Sequence, residues 1–446
     1  MCLQAAAAAQ PVAPVDAPPA ATSVVRSEEP LNLRQAIERA LETHIKTRVN
    51  KEKIRESEAR AAQAWAEINP TVTFNANQYN RTINLASQGL SGSNLPIPAF
   101  VGPFYTFDAR VQVLYNFLDS AKRWRIKAAE VGKLVSEQEL ELARQQVDLL
   151  TATAYVNLLS ARHARQAGLA DLALTNKNLE LARHQKQQGV AAGIDVTRAD
   201  AQRVEQELRQ ASLDDKVRRA NLELARLMGT PLATQYLPDE SDLPPVEQGM
   251  TNESATQEGL ANRIELKVAR LREEQLDKEI SAADAEDSPK MGIVADYGFA
   301  GNTPAQNVFG THNVGLTLQV PIFDGGVSDA KMDVLKSQLE QSKLQRQDQE
   351  IQVEQDVRSS FLKLQLARQQ IVTARASLVL AQKEMTMATD RFAAGLGTSV
   401  ELVDAQAKLA RARDAEVQAL VAYQLAQVEL AASIGKPELI IGGNKS

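Results

Sequence analysis

One half of this chain repeats the other. Glu223-Leu224-Ala225, Gly229 and Pro231 match Glu429-Leu430-Ala431, Gly435 and Pro437 at a constant offset of 206 residues. The same offset takes Tyr155, Leu158, Ala161 and Arg162 to Phe361, Leu364, Ala367 and Arg368, and Gly189, Asp195 and Ala199 to Gly395, Glu401 and Ala405. Nearer the N-terminus the offset becomes 219, with Leu41 matching Leu260, Ile45 matching Ile264 and Pro70 matching Pro289. The difference of 13 is absorbed after the prolines, where an insertion belongs in a loop. A duplication of this length restricts the fold to one supersecondary unit used twice. The unit reads as helix, two strands, very long helix, glycine-marked turn, helix.

This order divides the chain into a lead-in at 1–30, a first repeat at 31–231, a linker at 232–255, a second repeat at 256–437 and a tail at 438–446. In the first repeat one helix is expected from Leu31 to Asn69, strands within 71–118, a long helix at 120–188 and a return helix at 194–228. In the second, strands are expected within 290–323, the long helix at 327–394 and the return helix at 400–434. Met228-Gly229-Thr230-Pro231 is a helix stop, because glycine suits the left-handed C-terminal position and proline cannot continue the helix. The alanine- and proline-rich lead-in lacks a charged n-region and a full apolar h-region. It reads either as the tail of a secretory signal or as an unprocessed disordered start. Cys2 is a candidate for a lipidated first residue, though no lipobox precedes it.

The strands carry the most information. From Tyr105 every second residue is apolar, through Phe107, Ala109, Val111, Val113, Tyr115 and Phe117, while Thr106, Asp108, Arg110, Gln112 and Asn116 lie between them. Period two over this length is a strand with one oily and one wet face. Its oily face has aromatics at both ends and small aliphatics between, the arrangement of a lipid-facing strand between two interfacial girdles. Tyr105, Phe107, Val111, Val113, Tyr115 and Phe117 are therefore assigned to lipid. Met291, Ile293, Ala295, Tyr297 and Phe299 alternate likewise, as do Val314, Leu316, Leu318, Val320 and Ile322; Val72, Phe74 and Ala76 give the weakest pattern. A soluble antiparallel sheet packed on helices is the competing reading. Polar-surfaced long helices offer little to cover such a sheet, which favours a membrane barrel. Four strands cannot close one, since the smallest need about eight, so a barrel requires an oligomer.

At about 1.5 Å per residue the helix at 120–188 is roughly 100 Å long. In its second-repeat counterpart Val357, Leu364, Ile371, Leu378, Met385 and Phe392 recur every seven residues, with Ala367, Ala374, Ala381 and Ala388 as a second seam. Val135, Leu142, Leu149 and Val156 keep the same period, so a coiled coil is expected. Of the 446 residues only 4% are aromatic, and most of those cluster at the strands, which leaves alanine-rich tube walls. Glu401, Asp404 and Asp195 follow the glycine turns at the far ends of the long helices. They read either as first-turn carboxylates favoured by the helix dipole or as an acidic ring at a pore mouth. In the second case Gly189, Val190, Gly193, Gly395, Leu396 and Gly397 are the tips that a partner meets.

Other functions find little support. A net charge of −6 argues against a nucleic-acid partner. One cysteine excludes a disulfide framework, and no run of about 18 apolar residues forms a spanning helix. HExxH, CxxC, P-loop, GxSxG and GxGxxG patterns are absent. Ser433-Ile434-Gly435-Lys436 reads as SxxK, but its repeat partner Leu227-Met228-Gly229-Thr230 lacks both chemical residues. No catalytic, cofactor or metal site is expected. A soluble periplasmic coiled-coil scaffold remains as an alternative, and it leaves the alternating strands unexplained.

Together these residues resemble the outer membrane efflux protein (TolC) family of Gram-negative bacteria, over about Leu31 to Pro437. The marks are the duplicated layout, Val320-Pro321-Ile322-Phe323-Asp324-Gly325-Gly326 leading from strand to long helix, Arg391-Phe392 to Gly395 followed by Glu401-Leu402-Val403-Asp404-Ala405-Gln406, and the closing Ser433-Ile434-Gly435-Lys436-Pro437. The resemblance implies a mixed α+β membrane protein in which four strands per chain build a trimeric 12-stranded outer-membrane β-barrel. A periplasmic α-helical coiled-coil barrel continues it. It also implies a homotrimer serving as passive exit duct for an inner-membrane pump of RND or ABC type, joined through a periplasmic adaptor docked on the helical tips. In the family's best-known member, acidic residues at the closed entrance match Glu401 and Asp404, and Asp195 matches part of the links that hold it shut. Two link partners differ here, a tyrosine being Phe392 and an arginine being Gly397. The first-repeat Phe117-Leu118-Asp119-Ser120 also lacks the Gly-Gly pair of its counterpart.

Overall fold

The computed structural model describes residues 28–88, 98–239 and 250–437. The lead-in to position 27 with Cys2, the linker interior at 240–249 and the tail from 438 lie outside the described residues.

The first repeat runs β1 (Glu28–Leu31), α1 (Leu33–Thr43), α2 (Ile45–Ala66), β2 (Thr71–Asn84), β3 (Phe100–Leu118), α3 (Ser120–Gln187) and α4 (Gly193–Leu227). After β4 (Gln235–Pro238), the second runs α5 (Asn252–Asn262), α6 (Ile264–Asp284), β5 (Lys290–Gly301), β6 (Phe309–Gln319), α7 (Val327–Ala393) and α8 (Ser399–Ser433). Three details depart from the sequence reading. The first helix is broken at His44, whose backbone is extended (φ −62°, ψ 131°) and whose Nδ1 accepts the Lys46 N–H. Arg263 makes the same break between α5 and α6, and neither site carries the proline or glycine that would announce it. The lead-in and the linker each contribute a four-residue strand, and these pair in parallel as β1 with β4. Finally, β6 stops at Gln319, short of the alternation's end at Ile322. Pro321 cannot donate to a ladder, and Ile322 and Phe323 are left 95% and 88% exposed.

The four long strands form one antiparallel sheet in the order β2-β3-β5-β6, one hairpin from each repeat. Its register aligns the four alternations. Val72 lies opposite Val113 and Phe74 opposite Val111. On the other side of β3, Val113 faces Ala295 and Val111 faces Tyr297; Ala295 in turn faces Val314 and Ile293 faces Leu316. The oily sides thus merge into one continuous apolar face that no described residue covers, with Phe74, Val314 and Leu316 all exposed. The opposite face carries Arg110 between Asp108 and Asp296. The weakest sequence pattern, β2, is a 14-residue strand exposed along nearly its whole length.

The helices supply the interior. Leu33, Ile37, Val147, Tyr155, Leu158, Leu224 and Tyr236 form a dry cluster where α1, α3 and α4 meet the β1–β4 ribbon. The Tyr155 hydroxyl donates to the Leu31 carbonyl (3.0 Å) and accepts the Asp239 N–H (2.8 Å), which ties both strands to α3. The second repeat builds an equivalent cluster from Leu266, Val353, Val357, Leu364 and Leu430. In the α7 seam Val357, Leu364, Met385 and Phe392 are all buried, together with Ala367, Ala374 and Ala381. The first repeat is less dry. Thr47 and Thr151 stand where the second has Leu266 and Val357, and their hydroxyls, with Asp148 Oδ1, are buried without a hydrogen bond. Burial pushes the Asp148 carboxyl up to about 7, Glu141 adding to the effect and Arg144 opposing it.

Two outcomes follow for measurement. Val113→Arg, in the middle of the apolar face, should cost about 2–4 kcal/mol in a bilayer, read as loss of membrane insertion, whereas Gln112→Arg on the wet face should be tolerated. A carboxyl whose pKa is raised on folding stabilises below its unfolded pKa and loses that contribution as pH rises through the folded value. For Asp148, raised from 3.8 to about 7, the loss falls between about pH 4 and 7 and amounts to roughly 4 kcal/mol. Asp148→Asn should remove that slope from the pH dependence of the thermal transition.

Candidate functional site

The ends of the long helices farthest from the sheet are two hairpin tips of the same construction. Gly189 and Gly395 have φ of +75° and +74°, a left-handed conformation that glycine adopts without a Cβ penalty. Each closes its helix in a Schellman turn: Val190 N–H bonds the Gln185 carbonyl and Leu396 N–H the Arg391 carbonyl, both at 2.9 Å. Val190 and Leu396, the residues after each glycine, are 61% and 75% exposed. The tips lie against each other, since a Cβ on Gly395 would stand 3.4 Å from Val190 Cγ1. Gly397 sits so close to the end of α7 that a Cβ there would meet the Phe392 nitrogen at 3.0 Å. Gly193 begins α4 in the open.

The three carboxylates differ in placement. Asp195 is turned inward: it accepts the Ala192 N–H at 3.0 Å and the hydroxyl of Ser399, the first residue of α8. Arg198 stands 3.8 Å from it and also bonds Ser399. Glu401 and Asp404 are exposed, with Arg391 at 3.6 Å and Lys408 at 2.9 Å respectively. Lys408 also binds Glu384 at 2.6 Å, and hydrogen bonds to Glu384 and then Asp404 raise its pKa.

Behind the tips runs a polar seam that sequence reading missed. Asp171, Asn178 and Gln185 recur every seven residues on α3 and are buried. Ser399, Gln406 and Arg413 recur every seven on α8, running the other way. Arg413 pairs with Asp171, Gln406 accepts from Asn178 (3.0 Å) and donates to Thr175, and the Gln185 amide donates to the Phe392 carbonyl. Arg209 of α4 joins Asp414 alongside. Buried polar residues in heptad register set alignment at a cost in stability. The two hairpins of the protomer are therefore joined along this seam by groups that water can also satisfy, beside the apolar packing of Leu174 and Leu181 on the α7–α8 cluster. The sequence signal is a polar period of seven on each helix, distinct from the apolar one. Desolvation raises the Asp171 pKa and the Arg413 guanidinium opposes it. Among the described residues no cluster of three or more His, Cys, Asp or Glu side chains could hold a metal ion.

Arg413→Ala would strand a buried carboxylate and should destabilise the seam by about 3–5 kcal/mol. The expected readout is faster hydrogen exchange in 171–185 and 399–413, with the sheet unaffected. Asp171→Asn combined with Arg413→Met should cost less than the single change.

Comparison with known proteins gives a consistent result. A family model described as outer membrane efflux protein matches residues 36–230 and 255–436. The chain is 22% identical over 345 residues to outer membrane protein TolC of Escherichia coli (strain K12), covering 73% of this chain and 69% of that protein. Its fold is similar to outer membrane protein VceC from Vibrio cholerae, with TM-score 0.74 and 19% identity over 90% of this chain and 96% of that one. It is also similar to a membrane protein from Pseudomonas aeruginosa, with TM-score 0.79 and 19% identity over 95% of this chain and 99% of that one.

Proposed function

The chain belongs to the outer membrane efflux protein family, and from that premise we propose that three copies assemble into one exit duct whose tips receive a periplasmic adaptor. It is an outer-membrane channel, with the sheet in the membrane and the helices in the periplasm. The observation that carries the assembly is the sheet: four strands, one uncovered apolar face and two unpaired edges at β2 and β6. Three copies supply twelve strands, enough to close a barrel in which no backbone group meets lipid unpaired. The soluble-scaffold alternative would leave Phe74, Val314 and Leu316 in water.

Conduction is passive, driven by an inner-membrane pump of RND or ABC type. Val190 and Leu396, with Gly189, Gly193, Gly395 and Gly397, form the adaptor surface, which the exposure of all but the half-buried Gly397 supports. Glu401 and Asp404 line the entrance. Asp195 serves as a tie within the protomer: with Phe392 and Gly397 in place of a tyrosine and an arginine, the Asp195–Ser399 and Gln185–Phe392 contacts hold the hairpins together instead.

Planar-bilayer recording tests this reading directly, since the purified protein should open discrete trimer-sized conductances and absence of any conductance would remove the channel. Glu401→Ala with Asp404→Ala should lower cation-over-anion preference several-fold, because six exposed carboxylates per trimer focus cations at the mouth. Reversal potentials unchanged by the double substitution would take both residues out of the entrance.

A further inference from the structure

The first turns of α3, immediately beyond the sheet, carry Lys122, Arg123, Trp124, Arg125 and Lys127. Two of these cations are engaged within the protomer. Lys122 donates to the Glu67 carbonyl at 2.7 Å, and Arg125 pairs with Glu286 beyond α6. Arg123 and Lys127, one turn apart, have no carboxylate within ion-pair distance among the described residues. Arg123 donates only to the Phe117 carbonyl (3.3 Å), and Lys127 Nζ lies 4.0 Å from the centroid of the Trp124 ring.

Chain handedness decides which way this face points. Leu114, on the wet face, turns its carbonyl toward β2, where Thr71 Oγ1 bonds it at 3.3 Å. With the wet face inward, β2, β3, β5 and β6 then run clockwise seen from the end of the sheet far from the helices, and α2, α3 and α6 continue that order. A right-handed helix running away from that viewpoint, with position 122 against α2 and 125 against α6, turns positions 123, 124 and 127 outward. That is the side of Tyr115 and Phe117, whose rings pair at 6.2 Å at the same end of the apolar face.

We propose that Arg123, Lys127 and Trp124 form a seat for the phosphate of an anionic phospholipid in the periplasmic leaflet, one per protomer. The proposal rests on the sheet being the membrane-spanning part. Apolar strand, aromatic pair and then a tryptophan flanked by two unneutralised cations follow in the order in which acyl chain, interface and phosphate follow across a leaflet. Anchoring alone does not require the cations, because at the offset of 206 the second repeat places exposed Asp329 and Asp333 at the positions of Arg123 and Lys127. Basic and acidic stations therefore alternate around the trimer, and only the basic ones fit a lipid phosphate.

The test is native mass spectrometry of the full-length trimer in detergent, with phosphatidylglycerol and phosphatidylcholine in competition. Two cations at about five-fold each predict a preference for phosphatidylglycerol of roughly 25-fold. Arg123→Gln with Lys127→Gln should bring it near parity, Arg123→Lys should retain it, and Arg218→Gln, remote from the sheet, should leave it unchanged. Wild-type protein without preference, or a double variant that keeps it, overturns the proposal, as does displacement of the lipid by millimolar inorganic phosphate, which would mark a free-anion site. Should the double variant fail to assemble, Lys127→Gln and Trp124→Leu separately read the same ratio. Bilayer conductance keeps the two readings apart: a conducting double variant that has lost lipid preference leaves the channel standing, and a silent wild type removes the premise.

Discussion

Everything in this molecule depends on the absence of water around the apolar face of one sheet. A strand edge in hydrocarbon has no solvent to satisfy its N–H and C=O groups, and β2 and β6 each present such an edge. Closure is the only escape, and four strands are too few. The protomer is thus incomplete by construction: its exterior is built for lipid, its edges for copies of itself. The helices inherit the problem, since each strand pair delivers two chains to the membrane border at sheet spacing. They continue as a wall one helix thick, with small residues at the seams and few aromatics.

Duplication makes the wall economical in sequence, and the informative places are those where the two halves disagree. Both repeats have the same break, at His44 and Arg263, and the same tip glycines, so these belong to the shared scaffold. The first repeat alone carries the polar heptad row on α3, the buried Asp148 with its two threonines, and the outward cations of the first α3 turns. The two threonines stand where their counterparts Leu266 and Val357 are apolar, Arg123 and Lys127 where theirs are acidic, and the α3 row is buried where its counterparts Ser377, Glu384 and Arg391 are exposed. The result is one hairpin whose join to its neighbour can be re-solvated and one sector of the wall marked by positive charge.

The tips show which groups join the two hairpins at their far ends. Positions 392 and 397, phenylalanine and glycine, supply neither a phenol nor a guanidinium; the guanidinium beside Asp195 is that of Arg198, 3.8 Å away. Ser399 at the start of α8 supplies a hydroxyl to Asp195, and Gln185 supplies an amide to the Phe392 carbonyl.

Period and duplication were legible in the amino-acid sequence because both are properties of spacing alone. Alternation by two gave the strands and their oily side, recurrence by seven gave the long helices, and glycine before an exposed apolar residue gave the tips. The helix breaks at His44 and Arg263 and the β1–β4 ribbon were not legible, since no residue type announces them; the ribbon depends on long-range contacts with Tyr155 and the cluster around it. Asp195 was legible as a carboxylate in the first turn of α4, but not its partner, the Ser399 hydroxyl 204 residues away. Which polar residues meet across α3 and α8, and which cations at the membrane border remain unneutralised, depended on register and handedness between elements. Sequence spacing specifies the elements one at a time; only their packing determines what each side chain faces.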